Sequence, residues 1–323
     1  MSLSRVRHGS KYKALEYFHE TQQWSIPWMC RKLGISRASY YKWKHRKIPR
    51  EESENRQLAE LILEYEESYG YIFGYRRMTM LINRLNRTEY KVKRIHRIMK
   101  AIHVRARIRR KRRQYVSSTP EATAENLLKR DFLASRPNEK WVTDVTEFQV
   151  PRSKKKLYLS VIFDLYDRTP VSYVVRGTNN NPLVFDTYDM AIQSNPGARP
   201  ILHSDRGFQY TSKIFQMKLE TQGIRQSMSR KGHCIDNGPM EGFWGIVKAE
   251  MFQMYDIHDE SSLRDAIDRY IDFYMNERPQ ERFHARTPME VRTAALAAEK
   301  PEQYPIPVNK KIQKYKERYG RSA

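Results

Sequence analysis

Cysteine is scarce in this chain. Cys30 and Cys234 are the only two in 323 residues and lie far apart, which argues against a disulfide framework and for a reducing, cytoplasmic setting. No C-x-x-C or Cys/His pair has zinc-finger spacing, so a structural zinc site is not expected. No run of 18 or more apolar residues occurs, so no transmembrane helix is expected. The polar, basic N-terminus lacks the apolar stretch of a secretory signal. There is no solenoid-type repeat, no long low-complexity tract and no sustained heptad pattern of the kind a zipper needs. Acidic side chains are also outnumbered: 37 Asp and Glu stand against 60 Lys and Arg, a formal net charge of +23.

Such an excess calls for a polyanionic partner, with nucleic acid ahead of an acidic membrane. Its distribution is uneven. Residues 1–135 hold 31 basic and 13 acidic side chains, residues 136–299 hold 22 of each, and residues 300–323 hold 7 and 2. The charge suited to double-stranded DNA therefore lies at the two ends, around a neutral module. With 39% hydrophobic and 12% aromatic residues the chain can build cores, and its length suits two or three domains. The expected organisation is multidomain: an all-α module at 1–48, a second helical module at 56–104, a basic linker at 105–135, an α/β core at 136–296 and a basic tail at 297–323.

The stretch Ser25–Trp43 has the pattern of a helix-turn-helix. Pro27 suits a first helical turn with Ser25 as its cap, and Gly34 suits the left-handed residue that ends that helix. Ser36 can cap a second helix carrying Arg37, Ser39, Tyr40, Lys42 and Lys44, residue types that meet phosphates and base edges. Arg37, Lys42 and Lys44 are therefore candidate DNA contacts, against the plainer reading of a helical hairpin with a solvated basic face. In the second module Leu58, Leu61, Ile62 and Tyr65 recur at helical spacing, and Val92, Ile95, Ile98, Met99 and Ile102 form an apolar stripe. Lys91, Lys93, Arg94, Arg97 and Lys100 occupy its other faces. Beyond them, Arg105, Arg107, Arg109, Arg110, Lys111, Arg112 and Arg113 put seven basic residues into nine positions. Such a block is expected to wait for an anion and is a second candidate DNA contact.

From residue 140 the pattern changes to strands. Residues 141–150, 157–163 and 171–175 read as three strands, with a turn at 164–170. A helix at 182–193, a short strand at 200–204, a helix at 212–221, a strand at 224–228 and helices at 239–250 and 263–275 follow. The order β-β-β-α-β-α-β-α belongs to a mixed α/β domain with a central sheet.

Three acidic residues stand out here. Asp144 lies among Trp141, Val142 and Val145, Asp205 ends a short apolar strand before Arg206-Gly207, and Glu241 opens a helix. A carboxylate among apolar strand residues is costly unless it is paired or binds a cation. Oxygen donors of this kind suit Mg²⁺ or Mn²⁺, and a pair of such ions can serve phosphodiester chemistry. Taken singly, each has a plainer explanation: an edge residue, turn chemistry, or an acid at the positive end of a helix.

Together they match a family. Sixty residues separate Asp144 from Asp205 and 35 separate Asp205 from Glu241. The surrounding words are Trp141-Val-Thr-Asp144-Val-Thr, His203-Ser-Asp205-Arg-Gly207-Phe-Gln209, and Lys231-Gly232-His-Cys-Ile-Asp236-Asn237-Gly-Pro-Met-Glu241. Asn276-Glu-Arg-Pro-Gln280 and Thr287-Pro288 close the pattern, and Phe73 through Met99 resembles the helix-turn-helix module before such a core. Over residues 10–295 the chain resembles the catalytic subunit of bacterial insertion-sequence transposases with a retroviral-integrase-type core.

The resemblance implies a ribonuclease-H-like fold. Asp144, Asp205 and Glu241 would be catalytic and hold a pair of Mg²⁺ or Mn²⁺ ions for cleavage and strand transfer at element ends. By position, Lys248, seven residues after Glu241 on the same helix face, is a candidate phosphate contact, against the plainer reading of a solvated lysine. His203 is either near the metals or a hydrogen-bonded core histidine; Asn237 caps the helix or positions the loop; Arg278 meets DNA or pairs with an acid. Gly242 and Trp244 stand where relatives often have Ser and Phe, and His233 where Asn is common. Element ends and target DNA, a homodimer or larger assembly, and a small helix-turn-helix partner from an upstream reading frame are the implied partners, on the nucleoid of a bacterial cytoplasm. The other readings are a decayed transposase acting as a DNA-binding regulator, and a simple metal-dependent nuclease.

Overall fold

The computed structural model describes residues 8–107, 124–230 and 234–306. Arg109, Arg110, Lys111, Arg112 and Arg113 and the basic tail beyond residue 306 lie outside them. The chain divides into two compact units, Met1–Ile108 and Arg109–Ala323, so both expected helical modules fall within the first.

The described residues of that unit form six helices: α1 (Gly9–Gln22), α2 (Ile26–Leu33), α3 (Arg37–Lys44), α4 (Arg50–Ser68), α5 (Tyr75–Asn86) and α6 (Val92–Ala101). Tyr12, Leu15, Met29, Cys30 and Tyr40 form a small core for α1–α3, with Ile26, Ile35 and Trp43 against it. Pro27 sits in the first turn of α2, and Gly34 ends it with φ 63°, where a side chain would be strained. Ser36 accepts from the Ser39 main-chain N–H at 3.0 Å and so starts α3. Ser25 is extended at the head of α2, but its side chain makes no capping bond; the proline already removes one of the donors such a cap would serve.

In α4, Leu58, Ile62 and Glu66 continue one buried stripe. The turn between α5 and α6 is tied by Asn83, whose Oδ1 accepts from Tyr90 N (2.8 Å) while Nδ2 donates to Tyr90 O (3.0 Å). Ile95, Ile98 and Met99 bury the α6 stripe, whereas Val92, in its first turn, is exposed. Arg94 and Arg97 do not line an open basic face: Arg94 pairs with Glu54 and Arg97 with Glu51, both on α4.

The second unit contains a five-stranded mixed sheet in the order β3-β2-β1-β4-β5. The strands are β1 (Lys140–Gln149), β2 (Lys156–Asp164), β3 (Pro170–Arg176), β4 (Ile201–Ser204) and β5 (Arg225–Met228). The first three form an antiparallel meander; β4 and β5 join parallel to β1. The helices are α7 (Asn181–Ser194), α8 (Lys213–Thr221), α9 (Gly238–Met254), α10 (Glu260–Asn276) and α11 (Pro288–Ala297). The expected β-β-β-α-β-α-β-α order is met, and α11, begun by a Thr287 capping box, adds to it.

Strand alternation sorts the residues of β1 between two faces. Trp141 and Val145 join Leu202, Tyr188 and Phe215 in a core with α7 and α8. Asp144 and Phe148 face α9: Trp244 of α9 bonds Asp144, and Phe252 of α9 lies 6.3 Å from Phe148. On that side Phe163, Phe243 and Tyr274 stack through 4.9 and 5.0 Å contacts.

Two buried ion networks brace this layer. Arg278 makes a two-pronged bond to Glu250 (2.8 and 2.7 Å), which settles its role as partner to an acid. Arg292 of α11 bridges Asp164 and Asp167 and also donates to Asn138 and Asn195.

Candidate active site

The register of the sheet assembles two of the expected carboxylates. On the parallel pair β1/β4, Trp141 opposes Leu202 and Val142 opposes His203. Continuing that register two residues brings Asp144 level with Asp205. Asp144 is half-buried on its strand, and Asp205 lies just past the end of β4.

Each carboxylate is held. Asp144 Oδ1 accepts from the Val145 main-chain N–H and Oδ2 from the Trp244 indole Nε1, both at 2.9 Å. Asp205 Oδ1 accepts from Gly207 N at 2.9 Å in a tight turn. A side chain would crowd that turn: a Cβ on Gly207 would lie 3.0 Å from Asp205 Oδ1 and 3.1 Å from Gln209 Oε1. Arg206 Nε donates to Ser229 O at 2.7 Å and fastens the same loop to the end of β5.

The electrostatics record the crowding. Desolvation, then the negative charge of Asp205, pushes the Asp144 carboxyl up to about 7; the Trp244 and Val145 bonds oppose this, and Glu241 adds to it. Desolvation also raises Asp205, although it is exposed by area, against the lowering bond from Gly207. Tyr210 lies beneath both: its hydroxyl is shared with Thr143 Oγ1 at 3.2 Å, and burial plus the two aspartates pushes it well above the ordinary tyrosine range.

Glu241 stands in the first turn of α9 and is exposed. Its charge reaches Asp144, yet among the described residues no three carboxylate, histidine or cysteine side chains are gathered closely enough to hold a metal ion. The two aspartates are together; Glu241 is beside them, not among them.

His203 is a core residue. It is fully buried, Nδ1 is bonded to Ser227 Oγ at 2.8 Å and Nε2 to Ser229 Oγ at 3.1 Å, and desolvation pushes it down to about 4. Asn237 is the N-cap residue of α9, but its side chain makes no capping bond; its Nδ2 donates to Thr143 O at 3.2 Å and pins the helix start to β1. Lys248 is exposed on α9, its Nζ 5.2 Å from the centre of the Phe148 ring. In the first unit Arg37, Lys42 and Lys44 are exposed on α3, with Lys44 3.7 Å from Glu16. Arg105 and Arg107 are exposed after α6, with the Arg107 guanidinium over the Tyr71 ring. Sequence reasoning missed the bond from Trp244 to Asp144. The signal was there: a tryptophan three residues after Glu241 shares its helix face, and a buried indole N–H needs an acceptor.

Residues 134–234 and 222–288 match two families described as integrase core domains. Over 229 residues the chain is 40% identical to the putative transposase InsK for insertion sequence element IS150 of Escherichia coli (strain K12), covering 71% of this chain and 80% of that protein. The chain belongs to the insertion-sequence transposases with an integrase core. It is also 34% identical over 264 residues to the insertion element IS600 uncharacterized 31 kDa protein of Shigella sonnei, covering 80% of this chain and 93% of that one. Among solved structures it is similar to the HTLV-2 integrase catalytic core domain in complex with magnesium, with 19% identity, 48% of this chain and 95% of that chain covered, and a TM-score of 0.37. The transposase has no helix, among the described residues, long and apolar enough to cross a membrane.

Proposed function

We propose that this transposase cuts and joins DNA at the ends of its element by metal-dependent phosphodiester transfer, with Asp144, Asp205 and Glu241 as its catalytic carboxylates. The observation that carries the reading is the Asp144–Asp205 pair, one on β1 and the other just past the end of the adjacent parallel β4. Two oxygen-donor side chains, with Asp144 raised to about 7 by desolvation first and by the negative charge of Asp205 second, are a poor structural device and a good receptor for a hard divalent cation. The donor set fits Mg²⁺ or Mn²⁺, with Asp144 and Asp205 as the preformed part and Glu241, one helical turn from Trp244, as the third carboxylate. When bound, a pair of such ions neutralises charge at the phosphodiester and lowers the cost of activating the attacking oxygen.

The chain's own groups do the rest. The Gly207 turn and the Val145 N–H orient the two aspartates. Lys248 reaches for a phosphate near the scissile bond, and Arg37, Lys42, Lys44, Arg105, Arg107, Arg109, Arg110, Lys111, Arg112 and Arg113 hold the duplex. No side-chain nucleophile is needed, since one phosphodiester replaces another. Two ends must meet, so the working form on DNA is a dimer or larger assembly in the bacterial cytoplasm, with a small helix-turn-helix protein from an upstream reading frame as a further partner.

The test is strand joining on DNA carrying the ends beside its own gene, with Mg²⁺ or with EDTA, for wild type and Asp205→Asn. Joined products that need both metal and Asp205, with end binding retained by the variant, are expected. Joining that survives Asp205→Asn or EDTA refutes the reading.

A further inference from the structure

Trp244 lies one turn after Glu241 on α9, and its indole Nε1 donates to Asp144 Oδ2 at 2.9 Å. The ring is buried, 7% exposed, against Phe243 at 5.2 Å. An indole offers one donor and no acceptor, and buried it must find a partner. Main-chain carbonyls are the common choice for such a donor; here the acceptor is the carboxylate assigned above to a cation.

The two aspartates are held in different ways. Asp205 is oriented by its own turn, through Gly207 N. Asp144 is oriented on one oxygen by its own strand and on the other by a side chain from α9. Only Asp144 is therefore tied to the element that carries Glu241. A second tie, Asn237 Nδ2 to Thr143 O at 3.2 Å, fastens α9 to β1 four residues before Glu241, as Trp244 does three residues after it. Each Asp144 oxygen keeps acceptor capacity beyond the bond it already accepts, so the indole orients the carboxylate without taking it out of use.

We propose that Trp244 is a positioning residue of the metal site: its indole N–H fixes the Asp144 carboxylate and, by the same bond, sets the placement of the Glu241 helix against β1. This rests on the reading of Asp144 as a metal ligand. Carboxylates that ligate metals are themselves held by hydrogen bonds, and removing such an outer partner costs about 10- to 100-fold in affinity. Trp244→Phe keeps an aromatic ring and removes the N–H alone.

The experiment uses the full chain, without DNA, and Mn²⁺ as the probe, with free Mn²⁺ read by electron paramagnetic resonance. Asp144→Asn is expected to lose tight binding. Trp244→Phe, melting with the wild type, is expected to bind about 10- to 100-fold more weakly. Unchanged affinity in Trp244→Phe, with binding lost in Asp144→Asn, overturns the positioning role alone. Unchanged affinity in Asp144→Asn overturns the ligand reading and the inference with it. Should Trp244→Phe not fold, the wild type labelled with ¹⁵N at its five tryptophans decides. One indole resonance is expected to move both on adding Mg²⁺ and in Asp144→Asn, and an unmoved set overturns the proposal.

Discussion

Glu66 is the most exposed point in the energetics of the helical unit, because it is the most hidden in space. It is fully buried at the end of the α4 stripe that includes Leu58 and Ile62, and neither carboxylate oxygen has a hydrogen-bond partner. Desolvation alone raises its carboxyl from 4.5 to about 7. Between those values the folded protein keeps a proton that the unfolded chain has released, so stability falls as pH rises across this window. Below it both states are protonated and nothing is lost. Above it both are ionised and the full cost of burying the charge remains. At about 1.4 kcal/mol per pH unit, that cost is about 3 kcal/mol. Glu66→Gln keeps the shape and removes the charge, so it is expected to stabilise this unit by about 3 kcal/mol at pH 8 and by little at pH 4.5. Hydrogen exchange of peptides covering residues 58–82, read by mass spectrometry at both pH values and corrected for intrinsic rates, isolates the helical unit from the sheet unit. An equal effect of the substitution at the two pH values refutes the desolvation argument.

Three further outcomes are expected. Arg292→Met leaves Asp164 and Asp167, both fully buried, without their shared counter-charge, and urea unfolding should show a loss of about 3–5 kcal/mol. Gly207→Ala pushes a methyl group against Asp205 Oδ1, so strand joining should fall sharply while thermal melting stays close to wild type. Lys248→Ala should reduce strand joining without shifting the melting temperature, and should lower the salt dependence of DNA binding by a slope of about 1.

The strands of the sheet unit are legible because each apolar run is bounded by a clear break. What the sequence hides is which strands adjoin. Asp144 and Asp205 meet only because β4 pairs with β1 in parallel, a contact between segments sixty residues apart that no local pattern encodes. Helix faces were misread for the same reason. Val92 fits the α6 stripe by spacing, yet it lies in the first turn, beyond the surface that α6 buries. His203 looked equally suited to a metal and to a core; two serines arriving from beyond and within β5 decide for the core. Arg278, in the loop after α10, is answered by Glu250, 28 residues earlier on α9.

Charge shows the limit most clearly. The surplus in residues 1–135 points to DNA, but five of its arginines are paired with acids within the helical unit itself. Glu52 takes Arg46 and Arg56, Glu54 takes Arg50 and Arg94, and Glu51 takes Arg97. The acidic first half of α4 thus draws in α6 and the start of the α3–α4 connection, and a phosphate competing for Arg94 or Arg97 would have to displace a carboxylate. Arg37 and Lys42 stand exposed on α3, after a turn whose Gly34 and Ser36 fix its direction. A count of lysines and arginines identifies the class of partner. The map of their acids takes Arg94 and Arg97 out of the open basic surface of α6, and it makes neutralising Glu51 and Glu54 a route to stronger, less selective DNA binding through α6.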